Sequence, residues 1–249
     1  MICVVIIVLC AIASFISTTK AANGPVEAER RALMEVKLGV QREFVRSKLG
    51  VPQNETHYKT VTCAAYQLPD ADLYLIYDNK SSTLRFYSLT ATSNSYHPVF
   101  DEWPLVRECV GCKSFAQLST ENDTTPLYFN FSAKFWVYTE SFHYQTSSDD
   151  KWFFFTQRNG ADYSDPDAIT TDIGDLLEKI GGENFDFDSF YSALDSHSRN
   201  ELDHYRKHSR PNSFSVLLGD FKISGEKRGV DFELSRGGAS TCPAQVVWE

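Results

Sequence analysis

Five residues, Asp78 to Ser82, separate two runs of strand-like pattern, and they leave no room for anything but a turn. In the first run Leu73, Leu75 and Tyr77 alternate with Tyr74 and Ile76; in the second Leu84, Phe86 and Ser88 alternate with Arg85, Tyr87 and Leu89. Period two is the signature of a strand. A parallel crossover needs roughly a dozen residues or more, so these strands must pair antiparallel, and a doubly wound parallel sheet is excluded here. Upstream, Leu49-Gly50-Val51-Pro52 reads as a helix stop, with Gly50 free to adopt a left-handed conformation and Pro52 unable to continue a helix. Gly39 interrupts the pattern of Leu33, Val36 and Leu38, and Phe44, Val45, Lys48 and Leu49 resume it. Two short helices are expected, the first an amphipathic segment from Val26 to Leu38.

The same order recurs further on. Apolar residues at Leu105, Val106, Val110, Phe115 and Leu118 predict a helix, followed by strands at Leu127 to Phe131, Phe135 to Tyr144 and Trp152 to Gln157, with a polar loop at Ser147 to Asp150. The expectation is an α+β domain over residues 26–236: an antiparallel sheet with helices on one face, and two related helix-plus-meander halves at 26–100 and 101–164. A carboxyl-terminal segment adds helices at Ile173 to Ile180 and Phe187 to Lys207, then strands at Ser213 to Leu218, Phe221 to Ser224 and Val230 to Leu234. Residues 237–249 read as a loosely held tail.

Ile2 to Ser17 is an uninterrupted apolar run. Sixteen helical residues reach about 24 Å, short of a hydrocarbon core of roughly 30 Å. Residues 1–20 therefore fit a signal peptide or a retained membrane anchor, with 21–25 as linker. Lys20, Arg30 and Arg31 all follow the run, which taken literally places the domain in the cytoplasm; a terminal apolar segment ahead of a long folded domain favours export to the periplasm or the extracellular side. The formal net charge of −9 and pI near 5.2 argue against nucleic acid as a partner, since phosphate binding requires a basic face.

Lys37-Leu38-Gly39-Val40, Phe44-Val45, Leu49-Gly50-Val51-Pro52, the hairpin with Tyr77-Asp78 at its tip, and Tyr87-Ser88-Leu89-Thr90 carry a resemblance. Together with Phe135 to Tyr144 and Arg210-Pro211-Asn212-Ser213-Phe214 they resemble an uncharacterised bacterial membrane-anchored family known only by an enterobacterial locus tag. That resemblance implies an amino-terminal membrane helix ahead of an extramembrane domain. The leading helix, Leu-Gly-x-Pro and hairpin are also similar to the helix-plus-meander module of outer-membrane assembly lipoproteins and of the beta-lactamase inhibitor protein. Neither resemblance supplies a catalytic residue.

Chemistry-bearing constellations are sparse. Cys109-Val110-Gly111-Cys112 has the spacing of half a zinc site or a redox pair, but the other cysteines outside the apolar run, Cys63 and Cys242, are solitary. Structural or disulfide-bonded cysteines are the plainer reading, and four cysteines allow three pairings. His204 and His208 stand four apart on a predicted helix, a metal-ligand spacing, with His197 on the same face; Arg206 and Lys207 make the surroundings basic, and a solvated helix face accounts for them. Glu140 lies in an aromatic strand, where an inward carboxylate would need a partner, and on a two-sided strand it is expected to face water. It is the single candidate for a catalytic acid. The carboxylates Asp162, Asp165 and Asp167 lack the ligand rhythm of a calcium hand. No nucleophile elbow, dinucleotide fingerprint, phosphate loop or zincin motif is present. Sequons stand at Asn54, Asn79, Asn122 and Asn130, where ten asparagines in a chain this rich in Ser and Thr would give one or two by chance; they matter in a eukaryotic secretory pathway.

These readings predict a membrane-anchored or exported protein that binds another protein, using no cofactor or metal. Tyr74, Tyr87, Trp136, Tyr138, Trp152 and Phe154 are the strand aromatics that would form the binding face, or else fill the core. The alternatives are an exported hydrolase in which Glu140 works with a second acid, and a secreted small-ligand-binding protein.

Overall fold

The computed structural model describes residues 24–92, 98–102, 108–121, 126, 128–132, 137–147, 150–158 and 185–218. The apolar run Ile2 to Ser17, Trp136, the acidic cluster 162–167, the helix expected at Ile173 to Ile180, the strands expected at Phe221 to Ser224 and Val230 to Leu234, and Cys242 lie outside these residues. No helix among the described residues is long and apolar enough to cross a membrane.

The fold is α+β. In chain order the elements are α1 (Gly24–Leu33), α2 (Arg42–Leu49), β1 (Asn54–His57), β2 (Val61–Gln67), β3 (Ala71–Asp78), β4 (Leu84–Ala91), β5 (Val99–Phe100), β6 (Glu108–Cys109), α3 (Phe115–Glu121), β7 (Tyr128–Ser132), β8 (Val137–Gln145), β9 (Asp150–Arg158), β10 (Phe185–Asp186), α4 (Phe187–Ala193), α5 (Ser196–His208) and β11 (Ser213–Leu218). Nine of the strands form one sheet in the order β1-β2-β3-β4-β11-β9-β8-β7-β10, antiparallel at every step. Two meanders thus flank β11, the last described strand in the chain, which sits at the centre.

The β3–β4 hairpin holds as expected, with Tyr77 opposite Leu84 and an irregularity beside Ile76. The first helix is shorter than its apolar pattern suggested. It stops at Leu33, and Leu38 to Gln41 instead reach the hairpin, where Gly39 N–H donates to the Leu84 carbonyl at 2.8 Å and Leu84 N–H to that of Val40 at 2.8 Å. Gly39 has φ +83°. Gly50 ends α2 with φ +81° and ψ −157°, so the positive φ is present but the left-handed helical cap is not; the conformation is one that essentially only glycine adopts. The helix expected from Leu105 is confined to Phe115–Glu121, because Glu108–Cys109 pairs with Val99–Phe100 and a turn follows. The long helix expected from Phe187 breaks at Leu194 and Asp195, where the Asp195 carboxylate caps α5 by accepting the Ser198 N–H at 2.8 Å.

Register sorts the side chains onto two faces. On the front, Glu140, Phe155, Phe214, Leu89, Leu73 and Tyr66 form one row across the strands and Phe142, Phe153, Val216, Tyr87, Leu75 and Ala64 the next. Leu33, Val45, Phe115, Leu118, Phe187, Phe190, Leu202 and Tyr205 from the helices join them in the main core. On the back, His143, Trp152, Leu217, Phe86, Ile76 and Cys63 form one row, Ser141, Phe154, Ser215, Ser88, Tyr74 and Ala65 the next, and Thr139, Thr156, Ser213 and Thr90 the one after that.

Candidate functional site

Glu140 is fully buried, against the expectation that it faces water. The reason is strand parity: Tyr138, Glu140 and Phe142 share the front face, the one the helices cover. α3 and α5 bring the partners its charge needs. Arg206 donates through Nε to Oε1 at 2.6 Å and through Nη2 to Oε2 at 3.2 Å, a two-point grip on the carboxylate. Nη2 also donates to Ser119 Oγ at 2.8 Å, and the guanidinium lies 4.8 Å from the centre of the Phe187 ring. Tyr138 OH donates to Glu140 Oε1 at 2.7 Å.

Burial opposes the charge of Arg206, and the adjacent Glu140 carboxylate more than offsets this, holding the guanidinium above its ordinary range. Burial, then the Glu140 charge, pushes the Tyr138 phenol well up. Around this pair Tyr138 packs edge-to-face against both Phe115 and Tyr205, each at 5.0 Å, and Tyr205 OH donates to Gln157 Oε1 at 2.7 Å. A carboxylate so enclosed and neutralised orders the helix layer against the sheet. Its neighbours are a guanidinium and a phenol, and no third acidic, histidine or cysteine ligand gathers with it among the described residues.

A second carboxylate, Glu102, is buried as well. Glu102 accepts from the Leu38 N–H and from Lys151 Nζ at 3.0 Å, tying the loop before α2 to β9. Burial raises its pKa, partly countered by Lys151. Nothing in the local pattern around Glu102 marks it, because its partners lie 64 and 49 residues away.

Of the remaining candidates, His204 and His208 are both exposed on α5, their rings 4.1 Å apart, with His208 Nδ1 2.7 Å from the His204 carbonyl oxygen. Among the described residues no group of three His, Cys, Asp or Glu side chains is placed to hold a metal. Cys109 and Cys112 are joined in a disulfide, with Cα atoms 5.5 Å apart and Gly111 at φ +81° in the turn between them. Cys63 is disulfide-bonded as well. The strand aromatics mostly face inward: Tyr87, Tyr138 and Phe154 are buried, and Tyr74 and Trp152 half-buried.

Large apolar side chains do reach solvent at one edge of the sheet. Val51 is 83% exposed, Tyr58 42% and Phe44 39%, on α2 and at either end of β1. Arg46 holds α2 against that edge through its ion pair with Glu55, which His57 Nε2 also approaches at 3.1 Å. Lys48 Nζ lies 5.2 Å from the centre of the Phe44 ring.

No family model matches this chain, and no curated protein does. Among solved structures it is similar to a cysteine-rich secretory protein from Staphylococcus aureus subsp. aureus Mu50, at 10% identity and a TM-score of 0.32, over 74% of this chain and 45% of that one. The chain spans less than half the length of that structure.

Proposed function

We propose that this chain is an exported domain that acts by binding another protein, with the α2–β1 edge as its contact surface. The observation that carries the reading is the outward placement of Val51, Tyr58 and Phe44 in a domain whose strand aromatics are otherwise mostly turned inward. Exposed apolar side chains at one edge, interleaved with Arg46, Lys48 and Glu55, have the mixed character of an interface. The disulfide between Cys109 and Cys112, and that at Cys63, support an oxidising compartment, and the apolar run Ile2 to Ser17 supplies a route there.

The test is photo-crosslinking of the exported protein in its native surroundings, with a photoreactive side chain at position 51 and a control at position 208. One discrete protein adduct from position 51 is expected. Excess unlabelled domain should compete it away, and a Phe44→Asp, Tyr58→Asp domain should not. An adduct pattern no different from that of position 208 overturns the reading.

A further inference from the structure

The outermost strand of the sheet is also a sequon. β1 spans Asn54-Glu55-Thr56-His57 and, among the described residues, pairs with β2 on one side only. Asn54 lies opposite Ala65 and Thr56 opposite Cys63, so both belong to the back face, away from α2, and both are exposed. The Asn54 amide has no hydrogen-bond partner among the described residues.

The other sequons are placed differently. Asn79 donates through Nδ2 to the Tyr58 carbonyl at 2.7 Å and accepts through Oδ1 from Thr62 Oγ1 at 2.6 Å, so both ends of its amide brace the neighbouring strands. Asn130 lies within β7, a strand flanked by β8 and β10. Asn122 is outside the described residues.

We infer that Asn54 is a position of this chain that takes an N-linked glycan when the chain is exported through a eukaryotic secretory lumen; this rests on the export reading above. The donor is an oligosaccharide on a lipid diphosphate. Asn54 Nδ2 attacks the anomeric carbon, a C–N bond forms as the C–O bond to the diphosphate breaks, the amide loses one proton, and the lipid diphosphate leaves. The folded strand accommodates the product without giving up an internal contact. An unpaired edge is a template for strand addition, and a glycan rooted in β1 blocks that approach from the back face while leaving Phe44 on α2 uncovered.

The full chain is secreted from a eukaryotic host twice, once with its own amino terminus and once behind a foreign leader. Glycopeptides are mapped after enzymatic release in heavy-oxygen water. Asn54 should be occupied; Asn54→Gln and Thr56→Ala should each lose one glycan, and Thr56→Ser should keep it. Protein secreted behind the foreign leader with Asn54 bare overturns the inference. Retention inside the cell only with the native amino terminus counts against export instead, and leaves the occupancy of Asn54 to be read from the other form.

Discussion

The two faces of the sheet are both enclosed, yet they are held by different chemistry. The front is aromatic and charged at depth: Phe214 packs against Phe155 at 5.3 Å and Phe153 at 6.2 Å, and Glu140 with Arg206 is buried among such rings. The back combines small hydroxyls in cross-strand pairs, Thr139 with Thr156, Thr90 with Ser213 and Ser215 with Ser88, each at 2.9 Å, with a smaller apolar cluster of Val61, Cys63, Ile76, Phe86, Phe154 and Leu217. A ring buried among rings has volume to lose, and a buried ion pair has a charge to strand. A hydroxyl pair has neither. The front should therefore dominate stability, and the back should tolerate exchange.

The largest effect is expected at the centre of the front. Phe214→Ala should cost about 3–5 kcal/mol, read by urea denaturation, because the neighbouring rings cannot close the cavity. A loss below that of Leu217→Ala on the back would break the comparison. Arg206→Leu should also cost about 3–5 kcal/mol, since it leaves the Glu140 carboxylate buried without its cation. Adding Glu140→Leu should recover much of that loss, and a double variant no better than the single would show that the pair is not the cause.

Alkaline titration sharpens the same contrast. Burial pushes the Tyr66 phenol up to about 12 on the front, whereas its unfolded value is about 10. Its stabilising contribution is complete below pH 10 and drains away as the pH climbs through 12, amounting to about 2–3 kcal/mol. Unfolding should set in as the pH climbs through this range, read by far-ultraviolet circular dichroism, and Tyr66→Phe should postpone it. On the back, Ser215→Ala should cost about 1 kcal/mol by leaving Ser88 without its donor, and Ser88→Ala combined with Ser215→Ala should cost less. The smallest effect belongs to His208→Ala, within about 0.5 kcal/mol although it is two residues from Arg206, because it is exposed. A melting shift equal to that of Arg206→Leu would mean that α5 is not divided into buried and solvated sides.

How much of this was legible depends on how far apart the interacting residues are. The β3–β4 hairpin, β8, β9 and β11 could be read because period-two alternation and short loops are local properties. β2 was not, since Val61-Thr62-Cys63-Ala64-Ala65-Tyr66 is buried on both faces and shows no alternation. The helix expected from Leu105 failed because Val110 owes its burial to a turn and not to a helical face. At Glu140 the sequence showed that an inward carboxylate would need a partner. Which face was inward, and that Arg206 was the partner 66 residues on, are facts of the assembled sheet. The exposure of Val51 and Tyr58 had no sequence signal at all, because apolar residues beside a helix end and a strand end ordinarily pack.

The place of β11 bears on how the protein is made. A nascent chain emerges from its amino end, so both meanders are available before Ser213 to Leu218, yet those six residues must enter between β4 and β9 to join them. Until then each meander waits with an inner edge open, and the two stretches of unsatisfied backbone are templates for strand addition. A chain stalled or clipped before Ser213 would be two half-sheets facing each other across a gap, a substrate for chaperones and for aggregation. Completion of the sheet is thereby tied to synthesis of the chain through Leu218.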